Sequence, residues 1–104
     1  MIVTQTRFKL SSEFTSEHAR QVFADAGPKF LGMPGLVRKY FMLTEEGDTA
    51  SSIYLWENRT YPEAFFTEEW YAFIEEKYGH RPTVAFFQCP VIVDNLTDQI
   101  IVID

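Results

Sequence analysis

The clearest alternation of apolar and polar positions lies between residues 36 and 56 and predicts a β-hairpin. Leu36–Leu43 is rich in aromatic, β-branched and long apolar side chains, and Thr49–Trp56 has the same character. The four residues 45–48 between them form a polar turn, in which Gly47 permits a sharp reversal. Pro34-Gly35 interrupts whatever precedes the first strand. The other predicted elements flank this hairpin on both sides.

The first thirty residues predict a strand followed by a helix. Positions alternate over Ile2–Leu10, which is typical of a strand with one wetter face. Thr15 or Ser16 can begin a helix, because a hydroxyl there accepts hydrogen bonds from free N–H groups of the first turn. Apolar residues then recur at helical spacing as far as Phe30. Proline lacks an N–H, so we expect a kink or a break at Gly27-Pro28.

The second half of the chain predicts two helical segments and further strands. A short helix around Ala64–Phe66 is followed by a new start at Thr67, which can cap a helix with apolar residues at positions 70, 73, 74 and 78. Gly79 suits the end of that helix. The remaining apolar runs predict strands at Thr83–Cys89, at Val91–Val93 as its extension beyond Pro90, and at Ile100–Ile103.

This order of elements, β-α-β-β-α-β, predicts the ferredoxin-like α+β fold, an antiparallel sheet with helices on one face. Both faces of the predicted sheet are apolar. In its second strand one side has Val37, Phe41 and Leu43, and the other has Leu36, Tyr40 and Met42. Because the helices can cover one face only, we expect a homodimer packed sheet against sheet.

The composition limits the kinds of molecule that this protein is expected to bind. The 104 residues suffice for one domain over residues 1–95, with a C-terminal tail and a short strand over 96–104. A net charge of −6 repels phosphate backbones and argues against nucleic-acid binding. An aromatic content of 16% is high for so small a core, which favours a ligand pocket or an interface. The sequence has no membrane-spanning run and no signal peptide, and Cys89 has no disulfide partner, so we expect a cytoplasmic protein without membrane contact.

Two groups of side chains on the hairpin could serve a ligand. Ser52, Tyr54 and Trp56 share a strand face, where phenol and indole donors could orient a ligand oxygen; the alternative is ordinary core with a satisfied indole N–H. Arg38 and Lys39 point to opposite faces, so only one can enter a given pocket and hold an enolate or a carboxylate. The alternative for this pair is an edge-strand charge that discourages aggregation.

Motifs for metals and cofactors are missing from the sequence. His18 and His80 have no Cys or carboxylate companion at ligand spacing. Cys89 has no histidine partner motif and fits a buried, inert thiol. The glycines form neither a phosphate-binding loop nor a dinucleotide fingerprint. We therefore expect no metal and no cofactor.

Several segments resemble a known family. They are Met33-Pro34-Gly35-Leu36, Arg38-Lys39, Ile53-Tyr54-Leu55-Trp56-Glu57, the run from Trp70 to Lys77-Tyr78-Gly79, and Pro90-Val91-Ile92-Val93-Asp94-Asn95. Over residues 14–95 the chain resembles the YdhR-type family of proposed monooxygenases, within the antibiotic-biosynthesis-monooxygenase-like group of dimeric α/β barrels. The resemblance implies a homodimer with a pocket in each subunit between sheet and helices. It also implies oxidation of an aromatic substrate by O₂ without metal, haem or flavin.

The resemblance also implies site residues. Trp56-Glu57 matches a strand Trp and Glu that line the pocket of characterised relatives, and Ser52 stands where those relatives have Asn. Tyr61 lies near the position of a pocket tyrosine. We predict that Trp56, Tyr54 and Arg38 are catalytic, with Lys39 as the alternative to Arg38. The predicted substrate-binding residues are Ser52, Phe23, Tyr61, Phe65, Phe66 and Trp70.

The predicted function is that of a cofactor-independent monooxygenase for a small phenol-like or quinol-like molecule. A deprotonated hydroxyaromatic can react with O₂ directly, because its own π-system supplies the electrons. The protein then has to orient the ring, exclude water and stabilise the anion. The alternative function is a non-catalytic homodimer that binds a small molecule or has a structural role.

Overall fold

The computed structural model describes residues 1–103. In chain order the elements are β1 (Ile2–Lys9), α1 (Ser16–Phe30), β2 (Leu36–Leu43), β3 (Thr49–Trp56), α2 (Thr60–Phe65), α3 (Glu68–Tyr78), β4 (Thr83–Gln88), β5 (Val91–Asp94) and β6 (Gln99–Val102). The hairpin predicted from alternation is confirmed, with β2 and β3 at the predicted bounds. The second helical segment is divided into α2 and α3, as the new start at Thr67 predicts.

The main sheet has the strand order β2-β3-β1-β4, and each neighbouring pair is antiparallel. With β1 and β3 in the centre, this is the ferredoxin-like arrangement, so the predicted α+β fold class is confirmed. Tyr54 on β3 pairs with Thr4 on β1 and with Lys39 on β2. Directly paired residues point to the same side of a sheet, so these three side chains share a face.

Helix ends follow the predicted caps. The Thr15 hydroxyl accepts a hydrogen bond from the His18 N–H at 3.0 Å, and the Thr67 hydroxyl accepts one from the Trp70 N–H at 3.2 Å. Gly79 ends α3 with φ at 100°, a left-handed conformation that costs glycine little. These local signals fix where α1 and α3 begin and where α3 ends.

Three predictions about the backbone are wrong. Helix α1 is not broken at Gly27-Pro28 but continues as one helix to Phe30, despite the N–H that Pro28 lacks. Val91–Val93 do not extend β4; they belong to β5, which pairs with β6 in a separate two-stranded sheet. A register shift in β2 between Leu36 and Arg38 pairs Leu36 with Trp56, so Leu36 lies on the face of Phe41 and not, as predicted, on the face of Tyr40 and Met42.

The predicted tail has its short strand at β6, which overlaps the predicted run Ile100–Ile103. The Ile103 N–H donates to the Pro90 carbonyl at 2.8 Å and closes this small hairpin. The last residue of the predicted tail, 104, lies outside the described residues.

The two faces of the main sheet have different surroundings. The face that packs on α1 and α3 contains the buried core, formed by Phe8, Leu10, Ala19, Ala50, Ile74 and Tyr78. The other face, here called the open face, has half-exposed apolar side chains, with Tyr40 and Phe87 each 50% exposed. No helix among residues 1–103 is long and apolar enough to cross a membrane.

Candidate functional site around Lys39

A cavity of about 230 Å³ lies between the helix-facing side of the sheet and helices α1 and α3. Strands contribute Thr6, Phe8, Lys39, Phe41, Ser52 and Tyr54; helices contribute Phe23, Asp25, Ala26, Lys29, Phe30, Trp70, Phe73, Ile74, Lys77 and Tyr78. Most of this lining is aromatic or aliphatic, with a few polar groups that converge on one space. That composition is typical of a small-molecule site.

Lys39 is the most unusual residue of the lining. Its Nζ lies 3.5 Å from the ring centroid of Phe30, 3.8 Å from that of Phe41 and 4.4 Å from that of Tyr54. The ion pairs of the described residues join Arg59 to Glu63 and Arg81 to Glu68, so none of these carboxylates balances Lys39. Three aromatic faces attract the ammonium but supply no hydrogen-bond acceptor of carboxylate strength.

Burial changes the acid–base behaviour of this amine. Desolvation lowers the pKa of Lys39 to about 7, and the positive charge of Lys29 acts in the same direction. At pH 7 roughly half of the Lys39 amines are therefore neutral. A group in this range can accept a proton from a bound acid and then stabilise the resulting anion as an ammonium.

Hydroxyl-bearing residues surround Lys39 in the lining. Tyr54 faces it across the β2–β3 pair, and Ser52 and Thr6 follow on the same side of the sheet. Burial, with a smaller contribution from Tyr78, raises the pKa of Tyr54, so this phenol stays protonated and can donate a hydrogen bond. Burial also raises the pKa of Tyr78. The cavity thus combines one titrating amine with neutral hydroxyl groups.

Trp56 does not line the cavity and has a structural environment. Its Nε1–H donates to the Thr4 hydroxyl at 2.9 Å, and its side chain is only 1% exposed. The indole stacks on Tyr54 with ring centroids 5.5 Å apart and packs against Phe65 and Phe66. The prediction that the indole N–H orients a ligand is therefore wrong; the alternative, core with a satisfied N–H, describes Trp56.

Arg38 lies on the opposite side of the sheet from the cavity. It pairs with Leu55 on β3, and its Nη1 donates to the Tyr40 hydroxyl at 3.2 Å on the open face. The choice of Arg38 over Lys39 as the cation of the pocket is wrong, because adjacent strand residues point to opposite faces and Lys39 is the one paired with Tyr54.

The predicted substrate-binding residues divide into two groups. Ser52, Phe23 and Trp70 line the cavity. Phe65 and Phe66 lie in the packed cluster with Trp56, outside the lining. Tyr61 packs on Gly35, where a Cβ would collide with its ring, so it supports the start of β2 and is not among the residues that line the cavity.

The remaining candidates have local roles. His18 stacks on Phe14 with centroids 4.9 Å apart, and His80 lines a separate, open hollow near Glu46 and Asp48. Within residues 1–103, no three His, Cys, Asp or Glu side chains come together in a group that could hold a metal ion.

Sequence reasoning missed three lining residues that matter for charge and shape, namely Phe30, Lys29 and Lys77. Phe30 was assigned to the apolar face of α1 but not to a site, although it joins Lys39, Phe41 and Tyr54. Lys77 is not among the apolar positions predicted for α3, yet it reaches the cavity. Lys29 and Phe30 lie in the last turn of α1, opposite Lys39. The sequence alone does not indicate this cluster, because it does not show how α1 packs on the sheet.

Solved structures resemble this fold over most of their length. A proposed antibiotic biosynthesis monooxygenase from Deinococcus radiodurans superposes with a TM-score of 0.70 at 9% identity, covering 90% of this chain and 97% of that chain. For SnoaB, a cofactor-independent oxygenase from Streptomyces nogalater, the TM-score is 0.61 at 16% identity, and the match covers 85% of this chain and 91% of SnoaB. For the ActVA-Orf6 monooxygenase of Streptomyces coelicolor, solved with nanaomycin D, the TM-score is 0.62 at 14% identity. The match covers 85% of this chain and 86% of that chain.

At these identities the likeness shows only that this chain shares its fold with proteins named as antibiotic biosynthesis monooxygenases. No protein-family profile matches the chain, and no curated protein matches it in sequence. Membership of the narrower YdhR-type family stays a prediction.

Proposed function

We propose that this protein is a cofactor-independent monooxygenase and that its substrate is a small hydroxyaromatic bound beside Lys39. The observation that supports this most is the position of the Lys39 amine against three aromatic rings inside a cavity, where burial lowers its pKa to about 7. The shared fold with an enzyme named as a cofactor-independent oxygenase is consistent with the proposal.

The size of the cavity favours a small ring system. At about 230 Å³ it is smaller than the range of about 300–1,000 Å³ that is usual for drug-sized ligands. A substrate of one or two fused rings would fit between Phe23, Phe41 and Trp70, whose flat faces and edges suit an aromatic guest.

Lys39 would act on the substrate hydroxyl. In its neutral form the amine accepts the hydroxyl proton, and the resulting ammonium then stabilises the phenolate in a water-poor site. Tyr54, kept protonated by burial, would donate a hydrogen bond to the same developing charge. Lys39 is thus the proposed catalytic base and anion stabiliser, and Tyr54 the proposed second donor.

The electrons for oxygen reduction would come from the substrate. The phenolate, reacting through its carbanionic ring position, forms a C–O bond with O₂, and the hydroperoxide then loses water to leave a carbonyl group. For the keto tautomer of the phenol the sum is R₂CH₂ + O₂ → R₂C=O + H₂O. One oxygen atom enters the product, the other leaves as water, and the carbon loses four electrons.

The experiment is an oxygen-uptake screen. Purified protein is incubated with a panel of phenols, naphthols and quinols, and uptake is compared with that of the same mixtures without protein to subtract spontaneous oxidation. 1-Naphthol, which would give 1,4-naphthoquinone, should consume one O₂ per quinone and incorporate one atom from ¹⁸O₂. No uptake above the protein-free control across the panel would overturn the proposal and favour the non-catalytic alternative.

We further propose that the working form is a homodimer packed through the open face. Support comes from the apolar open face and from the β5–β6 hairpin, where Val93 and Ile100 are 64% and 72% exposed. A stable interface buries about 1,200 Å² or more in total, and these surfaces are apolar enough to contribute to it. Sedimentation at micromolar concentration should give a dimer; a monodisperse 12.1 kDa monomer would contradict it.

A further inference from the structure

Positive charge is concentrated at the cavity although the protein as a whole is acidic. The chain has a net charge of −6 and only four lysines, Lys9, Lys29, Lys39 and Lys77. Three of these four line the cavity. Lys39 has the catalytic role proposed above. The other two ammonium groups at this site, those of Lys29 and Lys77, have no role so far.

Lys29 and Lys77 reach the mouth of the cavity from two different helices. Lys29 extends from the last turn of α1 and Lys77 from the last turn of α3, and both residues are exposed. Their Nζ atoms lie 5.6 and 5.5 Å from the ring centroid of Phe73, which lines the cavity between them. Lys29 also lies 5.6 Å from the Phe30 ring, the same ring that contacts Lys39.

Acidic neighbours form no ion pair with Lys29 or Lys77 among the described residues. Asp25 is the acidic residue of the described lining, and its Oδ1 accepts a hydrogen bond from Gln21 at 2.9 Å. Glu76 lies beside Lys77 on the outer surface, but neither acid is within ion-pair distance of Lys29 or Lys77. The positive charge of Lys29 also contributes to the low pKa of Lys39, which shows that the two amines share one electrostatic environment.

A purely structural role accounts for only part of this arrangement. Lysines in the last turn of a helix favour the negative end of its dipole, and this applies to both residues. An interaction with the helix dipole does not require both side chains to lie over the Phe73 ring, which separates them at the mouth of the cavity. Two unpaired cations around an apolar opening, with a third cation inside, form a site for an anion attached to an apolar body.

We propose that the substrate has an anionic substituent, a carboxylate in its simplest form, that Lys29 and Lys77 bind at the cavity mouth while the hydroxylated ring points toward Lys39. This assignment rests on the proposed function for the orientation of the ring. Lys29 and Lys77 would then determine specificity and the direction of entry, without taking part in the reaction with O₂.

The test compares 6-hydroxy-2-naphthoic acid with its neutral carboxamide, which has nearly the same shape. Affinities are measured by calorimetry under nitrogen, so that binding is separated from turnover. The wild type should bind the acid about 10-fold more tightly than the amide, as expected for charge-assisted hydrogen bonds at a partly exposed site. In the Lys29→Gln/Lys77→Gln double variant this preference should disappear, with amide affinity unchanged.

Lys9→Gln is the matched control, because it removes one lysine that lies outside this cavity and should leave the preference intact. Equal affinity for acid and amide in the wild type, an unchanged preference in the double variant, or no binding of either compound would overturn the proposal.

Oxygen uptake in air then separates this inference from the proposed function. A preference for the acid without any oxygen uptake would support the anion subsite and count against the monooxygenase. Oxygen uptake with equal affinities would support the monooxygenase and overturn the subsite.

Discussion

Trp56 and Lys39 both contact Tyr54, yet their surroundings are opposite. The Trp56 indole stacks on Tyr54 at 7° between ring planes, and its N–H is used by Thr4. The Lys39 Nζ lies over the same tyrosine ring at 4.4 Å, beside a cavity and without a carboxylate partner among the described ion pairs. One polar group is satisfied by the fold itself, and the other is available to a ligand.

This difference separates a structural residue from a functional candidate. A buried donor that already has its acceptor stabilises the fold, and a ligand could use it only by breaking that bond. A buried amine without a matching anion lowers the stability of the fold, and such a cost is typical of sites that act on a ligand. The predictions below test this contrast, beginning with the largest expected effect.

Replacing Lys39 by Met should give opposite changes in activity and stability. The variant has nearly the same side-chain volume but lacks the base and the cation, so turnover should fall about 10³-fold. The free energy of unfolding at pH 7 should rise by about 1–3 kcal/mol, because a desolvated amine is lost. Oxygen uptake and urea denaturation measure the two effects.

A Lys39→Met variant that retains full turnover would remove Lys39 from the mechanism, whatever its stability. The matched control is Lys9→Met, which lies outside the cavity and should change neither quantity appreciably.

Replacing Trp56 by Phe should lower stability and leave turnover nearly unchanged, which is the reverse of the pattern expected for Lys39→Met. The smaller ring leaves a void in the packed cluster and removes the donor to Thr4, so the free energy of unfolding should fall by about 2 kcal/mol. Turnover per folded molecule should stay within about 3-fold, because the indole is outside the cavity. A 100-fold loss of turnover in a fully folded variant would show that Trp56 belongs to the functional site.

The pH dependence of stability should differ between the wild type and Lys39→Met. The pKa of Lys39 is about 7 in the folded protein against a usual value of 10.5, so the unfolded chain binds more protons between these two values. The stability of the wild type relative to the variant should therefore rise from pH 7.5 to pH 9, by about 1 kcal/mol per pH unit. Below about pH 6, where Lys39 is protonated in both states, the difference should be constant. Parallel stability curves above pH 7.5 would show that Lys39 has an ordinary pKa.

Replacing Arg38 by Gln should have the smallest effect. The guanidinium lies on the side of the sheet away from the cavity and bonds to Tyr40, so turnover per folded molecule should change less than about 2-fold. Because Arg38 adjoins Lys39 in sequence, this variant also controls for local damage to β2. A large loss of turnover would indicate that the open face, and not the cavity, contains the site.

The fold was predictable where local chemistry is decisive. Alternation and Gly47 were enough for the β2–β3 hairpin, and the Thr15 and Thr67 hydroxyls were enough for two helix starts. Pro28 and Val91–Val93 were misjudged because their outcome depends on neighbours. Helix α1 continues through Pro28 to Phe30 despite the N–H that proline lacks, and the run after Pro90 pairs with β6 and does not extend β4.

The site was predictable only in part, since it depends on register. Alternation shows that one of Arg38 and Lys39 enters the cavity, but the pairing of Lys39 with Tyr54 decides which. The same limit applies to Trp56. Its aromatic ring and polar tip suit a pocket, and only the position of Thr4 on β1 shows that the tip is already bonded.

The most direct test of the central claim is an NMR titration of the lysine side chains in ¹³C-lysine-labelled protein, with and without 1-naphthol under nitrogen. Four lysines give a spectrum that single substitutions can assign. We predict that the Lys39 resonance titrates near pH 7, and that saturating 1-naphthol shifts it and raises its midpoint by about one pH unit as a phenolate pairs with the ammonium. Lys9 should not respond. A Lys39 resonance that titrates with an ordinary lysine pKa and is unmoved by the ligand would contradict the assignment of this cavity as the functional site.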